Sequence, residues 1–237
     1  MSSTVARLFV LAVLLRFGGT EDDCFLPCST NDTVIEIAHM NDHHSHLDPE
    51  KVEVTIDGQA TRLSMGGFPA LGRIFKELPP SALKIHAGDA LTGTLFYSLF
   101  KGQTDAEVMN AICFDVFVLG NHEFDDGDAS LQRFLKLLKD GPCNMSILSA
   151  NVIPQLGTPL APNTPHDYVL PWTSRTVNGQ RIAIVGITVR NKTMLSSRPL
   201  PTTTFLDETT AAQAAIDAAT AAGHTRILLV THQGYAA

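Results

Sequence analysis

Short apolar runs alternate along the chain with stretches whose apolar residues have helical spacing. The runs predict six strands, at residues 34–38, 83–85, 116–119, 146–149, 181–188 and 227–231. Residues 71–78 and 131–138 carry apolar side chains at i, i+3, i+4 and i+7, which predicts two amphipathic helices. Such alternation is typical of a layered α/β domain in which crossover helices join parallel strands.

Local signals add further elements to this pattern. Alternating apolar and polar residues across 52–63 predict a hairpin. We expect Thr104 and Glu107 to form a capping box that opens a third helix. Asp128 is expected to cap the second amphipathic helix. The alanine-rich stretch 209–222 predicts a last helix.

Composition and charge exclude several classes of protein. With 237 residues and 44% hydrophobic content, the chain can bury one sizeable core and is not wholly disordered. Its 24 acidic and 17 basic residues give a net charge of −7, so we expect no nucleic-acid partner, which would require many cationic side chains. The longest apolar run, 8–15, is far shorter than the about 20 residues of a membrane span, so we expect no transmembrane segment.

The first residues resemble a targeting segment. Arg7 precedes the apolar run 8–15, and two glycines follow it, so residues 1–19 predict a secretory signal peptide. The alternative interpretations are a first helix and a mispredicted gene start. Residues 20–33 are then a linker to a domain over 34–237. A cleaved signal would place the protein outside the cell or on its surface.

The cysteines and three glycosylation tripeptides favour the same compartment. The tripeptides begin at Asn31, Asn144 and Asn191. In an oxidising compartment we expect Cys24 to pair with Cys28, and Cys113 with Cys143. Four free thiols, two of them buried, are the alternative.

Polar residues typical of metal sites follow four of the predicted strands. Asp42 and His44 come after the first strand, and Asp89 after the second. Asn121 follows the third, and His232 follows the last. Ligands of open α/β sheets bind beyond the carboxyl ends of the strands, so we expect these residues to converge. Mixed oxygen and nitrogen ligands suit zinc, manganese or a similar ion, and the sequence predicts a two-metal site.

The geometry of extended backbone assigns some of these ligands. Residues i and i+2 of a strand share a face, so Asp42 and His44 would point at one ion while His43 points elsewhere. The two carboxylate oxygens of Asp89 allow it to bridge two ions. Of the other histidines, we expect His86 to be a core residue and His224 to be exposed.

These motifs resemble the calcineurin-like phosphoesterase superfamily and, more narrowly, the amino-terminal domain of the 5′-nucleotidase family. The stretches that carry the resemblance are 38–46, 87–94 and 119–125, of which Gly-Asn-His-Glu-Phe-Asp in the last is the most specific. Ser149-Ala150-Asn151 and Thr231-His232 follow in the expected order. The resemblance covers about residues 34–237 and implies a four-layer α/β/β/α sandwich, incomplete at its carboxyl terminus.

The resemblance also implies a role for each candidate residue. Two divalent metal ions, zinc or manganese, are expected, held by Asp42 and His44 on one side, by Asn121 and His232 on the other, and by Asp89 between them. His122 and Asp125 would form a catalytic pair beside the scissile phosphate. A water activated by two such ions attacks phosphorus in line with the leaving group.

The implied activity is that of a 5′-nucleotidase, which releases phosphate from nucleoside 5′-monophosphates. UDP-sugar hydrolysis and 2′,3′-cyclic nucleotide phosphodiesterase activity on the same site are alternatives. The family also has a further histidine motif after the position of His232 and a carboxyl-terminal nucleotide-binding domain, which the sequence up to Ala237 lacks. We therefore interpret the chain as part of a larger enzyme, with an inactive fragment as the alternative. The sequence predicts no oligomeric state.

Overall fold

The computed structural model describes residues 11–17 and 33–234. Its strands are β1 (Leu11–Phe17), β2 (Thr33–Met40), β3 (Glu50–Ile56), β4 (Gln59–Met65), β5 (Leu83–His86), β6 (Val116–Val118), β7 (Ser146–Leu148), β8 (Val152–Ile153), β9 (Trp172–Val177), β10 (Gln180–Thr188), β11 (Thr204–Phe205) and β12 (Ile227–His232). Its helices are α1 (Gly67–Glu77), α2 (Leu95–Phe100), α3 (Gln103–Ile112), α4 (Asp128–Lys139), α5 (Arg190–Ser196) and α6 (Glu208–Ala221). The predicted strands, hairpin and helices are confirmed, with shifts of a few residues at their ends.

Two sheets form the centre of the molecule. The first has the order β1-β2-β5-β6-β7, in which β2, β5, β6 and β7 are parallel and β1 pairs antiparallel with β2. The second has the order β12-β10-β9, with β10 parallel to β12 and antiparallel to β9. The parallel strands of each sheet therefore end at a common edge, which is where an α/β sheet places its ligands.

Three apolar cores separate four layers. Between the sheets, Ile37 and Val118 of the first sheet are buried in one cluster with Ile184 of the second. Helices α1, α3 and α4 cover the outer face of the first sheet, where the ring of Phe117 packs edge-on against Phe134 at 5.9 Å. The small alanine side chains of α6 cover the outer face of the second sheet. This arrangement is the expected α/β/β/α sandwich.

Two expected helix caps are wrong. Helix α3 begins at Gln103 with Gly102 at its N-cap position, so Thr104 lies inside the first turn and caps nothing. Helix α4 begins at Asp128 itself, and Gly127, with a φ of 77°, occupies its N-cap position. The carboxylate of Asp128 instead accepts a hydrogen bond from the N–H of Leu200, and so anchors a distant loop to the start of α4.

The structure confirms one disulfide and corrects one exposure. Cys113 is bonded to Cys143, which joins the end of α3 to the segment before β7. His224 is buried, not exposed, because its ring packs edge-on against Trp172 at a centroid distance of 5.5 Å. Cys24, Cys28 and the tripeptide at residue 31 lie outside the described residues.

The predicted signal peptide is only partly covered by the structure. Residues 11–17 form β1, the edge strand of the first sheet, and the rest of 1–19 lies outside the described residues. The leader, the linker and the domain bounds therefore stay predictions. None of the helices in the described ranges combines the length and the apolar character that crossing a bilayer requires.

Candidate metal centre

Side chains from separate strand ends meet at one edge of the sandwich. Asp42 and His44 follow β2, and Asp89 follows β5. The Nε2 atom of His44 lies 3.4 Å from Oδ1 of Asp42 and 3.6 Å from Oδ2 of Asp89. His232, the last residue of β12, reaches across from the second sheet, and its Nε2 lies 3.2 Å from Oδ2 of Asp89.

Two groups of candidate ligand atoms share Asp89. One atom each of Asp42, Asp89 and His232 lies within 4.8 Å of the others, and the same holds for His44, Asp89 and His122. A carboxylate common to both groups is what two neighbouring cations require. The assignment of Asp42 and His44 to a single ion stays a prediction, because these groups divide the two residues.

Asn121 supplies the test of whether the site fits a cation. Its side chain is fully buried, and neither its amide oxygen nor its amide nitrogen has a hydrogen-bond partner among the described residues. Buried polar groups without a partner are rare, and an amide oxygen is a good ligand for a divalent ion. Asn121 lines a cavity of about 670 Å³ together with Asp42 and His232, so the residues present fit a metal.

The histidine rings are oriented as metal ligands. A carbonyl can only accept, so Nδ1 of His232 donates to the carbonyl of Ala87 at 2.7 Å. In the same way, Nδ1 of His44 points at the carbonyl of Leu91 at 3.3 Å. Each ring therefore presents Nε2 to the carboxylates, which is how a protein acceptor fixes a metal-binding histidine.

Charges within the site shift the pKa values of its members. Burial alone would lower the pKa of His232, but the carboxylate of Asp89 outweighs it and raises that pKa to about 9. Burial would raise the pKa of Asp42, but hydrogen bonds from His44 and Asn41 outweigh it and lower the pKa to about 2. Without a cation, a proton on His232 thus offsets the acidic charge of the site.

The backbone that carries these ligands is not extended. Asp42, His44 and Asp89 have φ values of 54°, 45° and 55°. These are left-handed values, which cost non-glycine residues of order 1 kcal/mol each and persist where surrounding contacts hold them. The N–H of Asp42 donates to the carbonyl of Gly88 at 2.9 Å, which ties the two loops together. Asp42 and His44 therefore do not share a face of extended backbone, contrary to the prediction from their i, i+2 spacing, although both side chains reach the site.

Glu123 holds the Asp89 turn from behind, a role that sequence reasoning missed. Its buried carboxylate accepts hydrogen bonds from the backbone N–H groups of Asp89, Ala90 and Gly120 at 3.0, 2.7 and 2.6 Å. Burial and the charge of Asp89 raise the pKa of Glu123 to about 7, against the effect of these donors. The only signal was its place in the run Gly-Asn-His-Glu-Phe-Asp.

Gly88 and Gly120 allow the two ligand turns to touch. A Cβ atom on Gly120 would lie 2.2 Å from Oδ1 of Asp89, and one on Gly88 would lie 2.7 Å from the backbone N of Gly120. Real Cβ atoms do not approach other atoms so closely. The absence of a side chain at both positions therefore sets the place of the Asp89 carboxylate.

His122 and Asp125 form the expected pair. Nδ1 of His122 lies 2.6 Å from Oδ2 of Asp125, and the backbone N–H of His122 donates to Oδ1 of Asp89 at 2.9 Å. The hydroxyl of Ser197 lies 2.7 Å from the other oxygen of Asp125. Both side chains stay partly exposed, at 33% and 24%, so a substrate can reach them.

Asn151 joins the segment after β7 of the first sheet to β10 of the second sheet. Its amide exchanges two hydrogen bonds with the backbone of Thr188 at the end of β10, at 2.8 and 2.9 Å. The hydroxyl of Thr188 in turn donates to the carbonyl of Leu119, which directly precedes Gly120 and Asn121. The Ser149-Ala150-Asn151 motif thus sets how the second sheet meets the turn that carries Asn121.

Comparison with known proteins agrees with this geometry. The family model for calcineurin-like phosphoesterases matches residues 35–192. The NAD 5′-nucleotidase of Haemophilus influenzae is 42% identical over 203 residues, which are 84% of this chain and 32% of that protein. A snake venom 5′-nucleotidase of Gloydius brevicauda is 32% identical over 227 residues, or 94% of this chain and 37% of that protein.

Solved structures give the same result. The Haemophilus influenzae NAD nucleotidase superposes with a TM-score of 0.76 at 40% identity, covering 85% of this chain and 39% of that one. A 5′-nucleotidase precursor from Thermus thermophilus gives a TM-score of 0.72 at 33% identity, covering 85% and 38%. The chain thus spans between 32% and 39% of the length of these proteins.

Proposed function

Because the chain belongs to the calcineurin-like phosphoesterase family, we propose that it is the metal-binding part of a hydrolase that releases phosphate from nucleoside 5′-monophosphates. The observation that carries this proposal is the carboxylate of Asp89, which is common to both groups of candidate ligands. We expect two divalent ions, zinc or manganese, with Asn121 completing the ligand set. The similarity to a protein named 5′-nucleotidase supports the choice of substrate.

Each residue would have a defined task in this reaction. The ions, when bound, supply an activated water and neutralise charge on the phosphate. His122 would hold a proton at Nε2, the ring atom that its bond to Asp125 leaves free, and present it to the phosphate or to the leaving oxygen. Asp125 would fix the orientation of the ring.

A dinucleotide substrate is the second candidate. One observation favours it: the relative named NAD 5′-nucleotidase is 42% identical to this chain. UDP-sugars and 2′,3′-cyclic nucleotides would use the same metal centre. A panel of AMP, NAD, a UDP-sugar and 2′,3′-cyclic AMP, each with added manganese, would separate these substrates.

We also propose that the protein is exported. Support comes from the predicted signal peptide, from the Cys113–Cys143 disulfide, and from a relative found in venom. Amino-terminal sequencing of the mature protein tests this proposal. A start after about residue 19, which would remove the edge strand β1, is expected, and a start at Met1 would contradict the proposal.

The activity is tested by removing the shared carboxylate. In the full-length protein, Asp89→Asn should lower phosphate release from AMP by at least about 100-fold, because both candidate ion sites lose a ligand. Asp140→Asn, at an exposed carboxylate beyond α4, is the matched control and should have no effect. Undiminished hydrolysis by Asp89→Asn, or by wild type in a strong chelator, would refute the proposal.

A further inference from the structure

Three buried polar side chains, Asp105, His43 and His86, form a row of hydrogen bonds that ends at the loops of the metal centre. Oδ1 of Asp105, on α3, lies 3.2 Å from Nε2 of His43, and Nδ1 of His43 lies 2.8 Å from Nε2 of His86. The backbone N–H of Gly88 donates to Nδ1 of His86 at 3.2 Å. The exposed fractions of Asp105, His43 and His86 are 0%, 3% and 0%, so water does not compete for these bonds.

The two ends of this row fix the direction of every hydrogen bond in it. Because Gly88 donates, Nδ1 of His86 must accept, and the ring proton of neutral His86 lies on Nε2. That proton goes to Nδ1 of His43, so the proton of His43 lies on Nε2 and goes to the carboxylate of Asp105. A ring nitrogen that accepts a hydrogen bond carries no proton, so both rings are neutral in this order.

The row ends on the loops that carry the candidate ligands. His43 lies between Asp42 and His44 in the chain, and Gly88 directly precedes Asp89. The carbonyl of Gly88 also accepts a hydrogen bond from the N–H of Asp42. A displacement at either histidine would therefore move both loops.

We propose that Asp105, through the row of hydrogen bonds formed by His43 and His86, is a positioning residue that holds the Gly88–Asp89 turn in register for the ions. The inference rests on the proposed function, since it assigns the row to the same metal centre. Asp105 itself contacts His43 and does not touch the substrate.

Three substitutions in the full-length protein test the row. His86→Phe keeps an aromatic ring beside Phe114 and Phe117, which pack edge-on against His86 at 5.5 and 5.4 Å, but it leaves the N–H of Gly88 without an acceptor. Asp105→Leu removes the acceptor at the far end, whereas Asp105→Asn keeps an amide oxygen that can accept from His43. His224→Phe, at a buried histidine packed on Trp172, is the matched control.

The first measurement is amide hydrogen exchange of Gly88 by NMR in metal-free protein, and the second is manganese affinity by calorimetry. We expect His86→Phe and Asp105→Leu to accelerate exchange at Gly88 and to weaken manganese binding by about 10- to 100-fold. Asp105→Asn should restore both values, and His224→Phe should leave both unchanged. Thermal unfolding checks that each variant is folded.

The outcomes separate the two proposals. The positioning role is overturned if the Gly88 exchange rate and the manganese affinity both stay at the wild-type values in His86→Phe and Asp105→Leu. This holds even if those variants melt at a lower temperature. Failure of wild-type protein to take up manganese would instead refute the proposed function, and the exchange rate of Gly88 would still decide the row.

Discussion

Nδ1 of His122 lies 2.6 Å from a carboxylate oxygen of Asp125, and the hydroxyl of Ser197 lies 2.7 Å from the other oxygen of the same carboxylate. The imidazole is therefore held from one side, with Nε2 as its available atom. Because Ser197 follows α5, the orientation of this ring depends on a segment far from it in the sequence.

Removal of the His122 ring should lower the catalytic rate while changing the stability of the fold much less. His122→Ala is expected to reduce kcat for AMP by roughly 10²- to 10⁴-fold, because a positioned proton donor is lost. Asp125→Asn should have a smaller effect of the same sign, since the ring remains. Steady-state phosphate release measures both, and an unchanged kcat in His122→Ala would exclude the assigned role.

Metal uptake at His232 should release a proton. The pKa of its ring is raised to about 9, so the ring is protonated at pH 7 and a cation must displace that proton. Apparent affinity should then fall about tenfold for each pH unit below about 9 and level off above it. Calorimetry in two buffers of different ionisation enthalpy measures the release, and an identical heat in both buffers would count against it.

Glu123→Gln should destabilise the protein because it turns one acceptor oxygen into a donor. The carboxylate accepts from several backbone N–H groups of the Asp89 turn, and an amide group facing them leaves some unpaired. We expect a loss of roughly 2–5 kcal/mol in the free energy of unfolding, measured by denaturant titration above pH 7, where the raised pKa of about 7 leaves Glu123 ionised. Glu107→Gln, on the exposed face of α3, is the control, and equal stability of the two variants would contradict the argument.

Gly120→Ala should abolish tight metal binding. Its Cβ would lie 2.2 Å from Oδ1 and 2.5 Å from the backbone N of Asp89, so the carboxylate and the turn that carries it must both move. Gly72→Ala in α1, where an added Cβ would have no neighbour within 4 Å, should instead stabilise the protein by about 0.5–1 kcal/mol. Manganese titration and thermal melting of both variants provide the comparison, and normal uptake by Gly120→Ala would show that the contact does not set the site.

Reduction of the Cys113–Cys143 disulfide should cost stability and leave the metal centre in place. The two cysteines are 30 residues apart, for which loop-closure entropy gives about 3–4 kcal/mol. A double Cys→Ser variant should therefore melt at a lower temperature but bind manganese with unchanged affinity. A variant as stable as the oxidised wild type would contradict the estimate.

Sequence patterns predicted the order of the elements because apolar periodicity reports directly on burial, as at 131–138 in α4. The strand-end rule correctly brought Asp42, Asp89 and His232 together, since parallel strands end at one edge. Short elements such as α2 were not predicted, because six residues show too little periodicity of apolar positions. Asp105 escaped because its role depends on a contact made by His43, 62 residues away in the chain.

His232 belongs to the second sheet, whereas Asp42 and Asp89 follow strands of the first. An ion bound by all three residues would link the two sheets, which already pack against each other through apolar side chains. Binding of the ion would then raise the free energy of unfolding of the whole domain, by an amount that grows with the logarithm of the free metal concentration. Chelation would therefore weaken the interface between the two sheets as well as stop hydrolysis. Protein that has lost its metal would also unfold more easily.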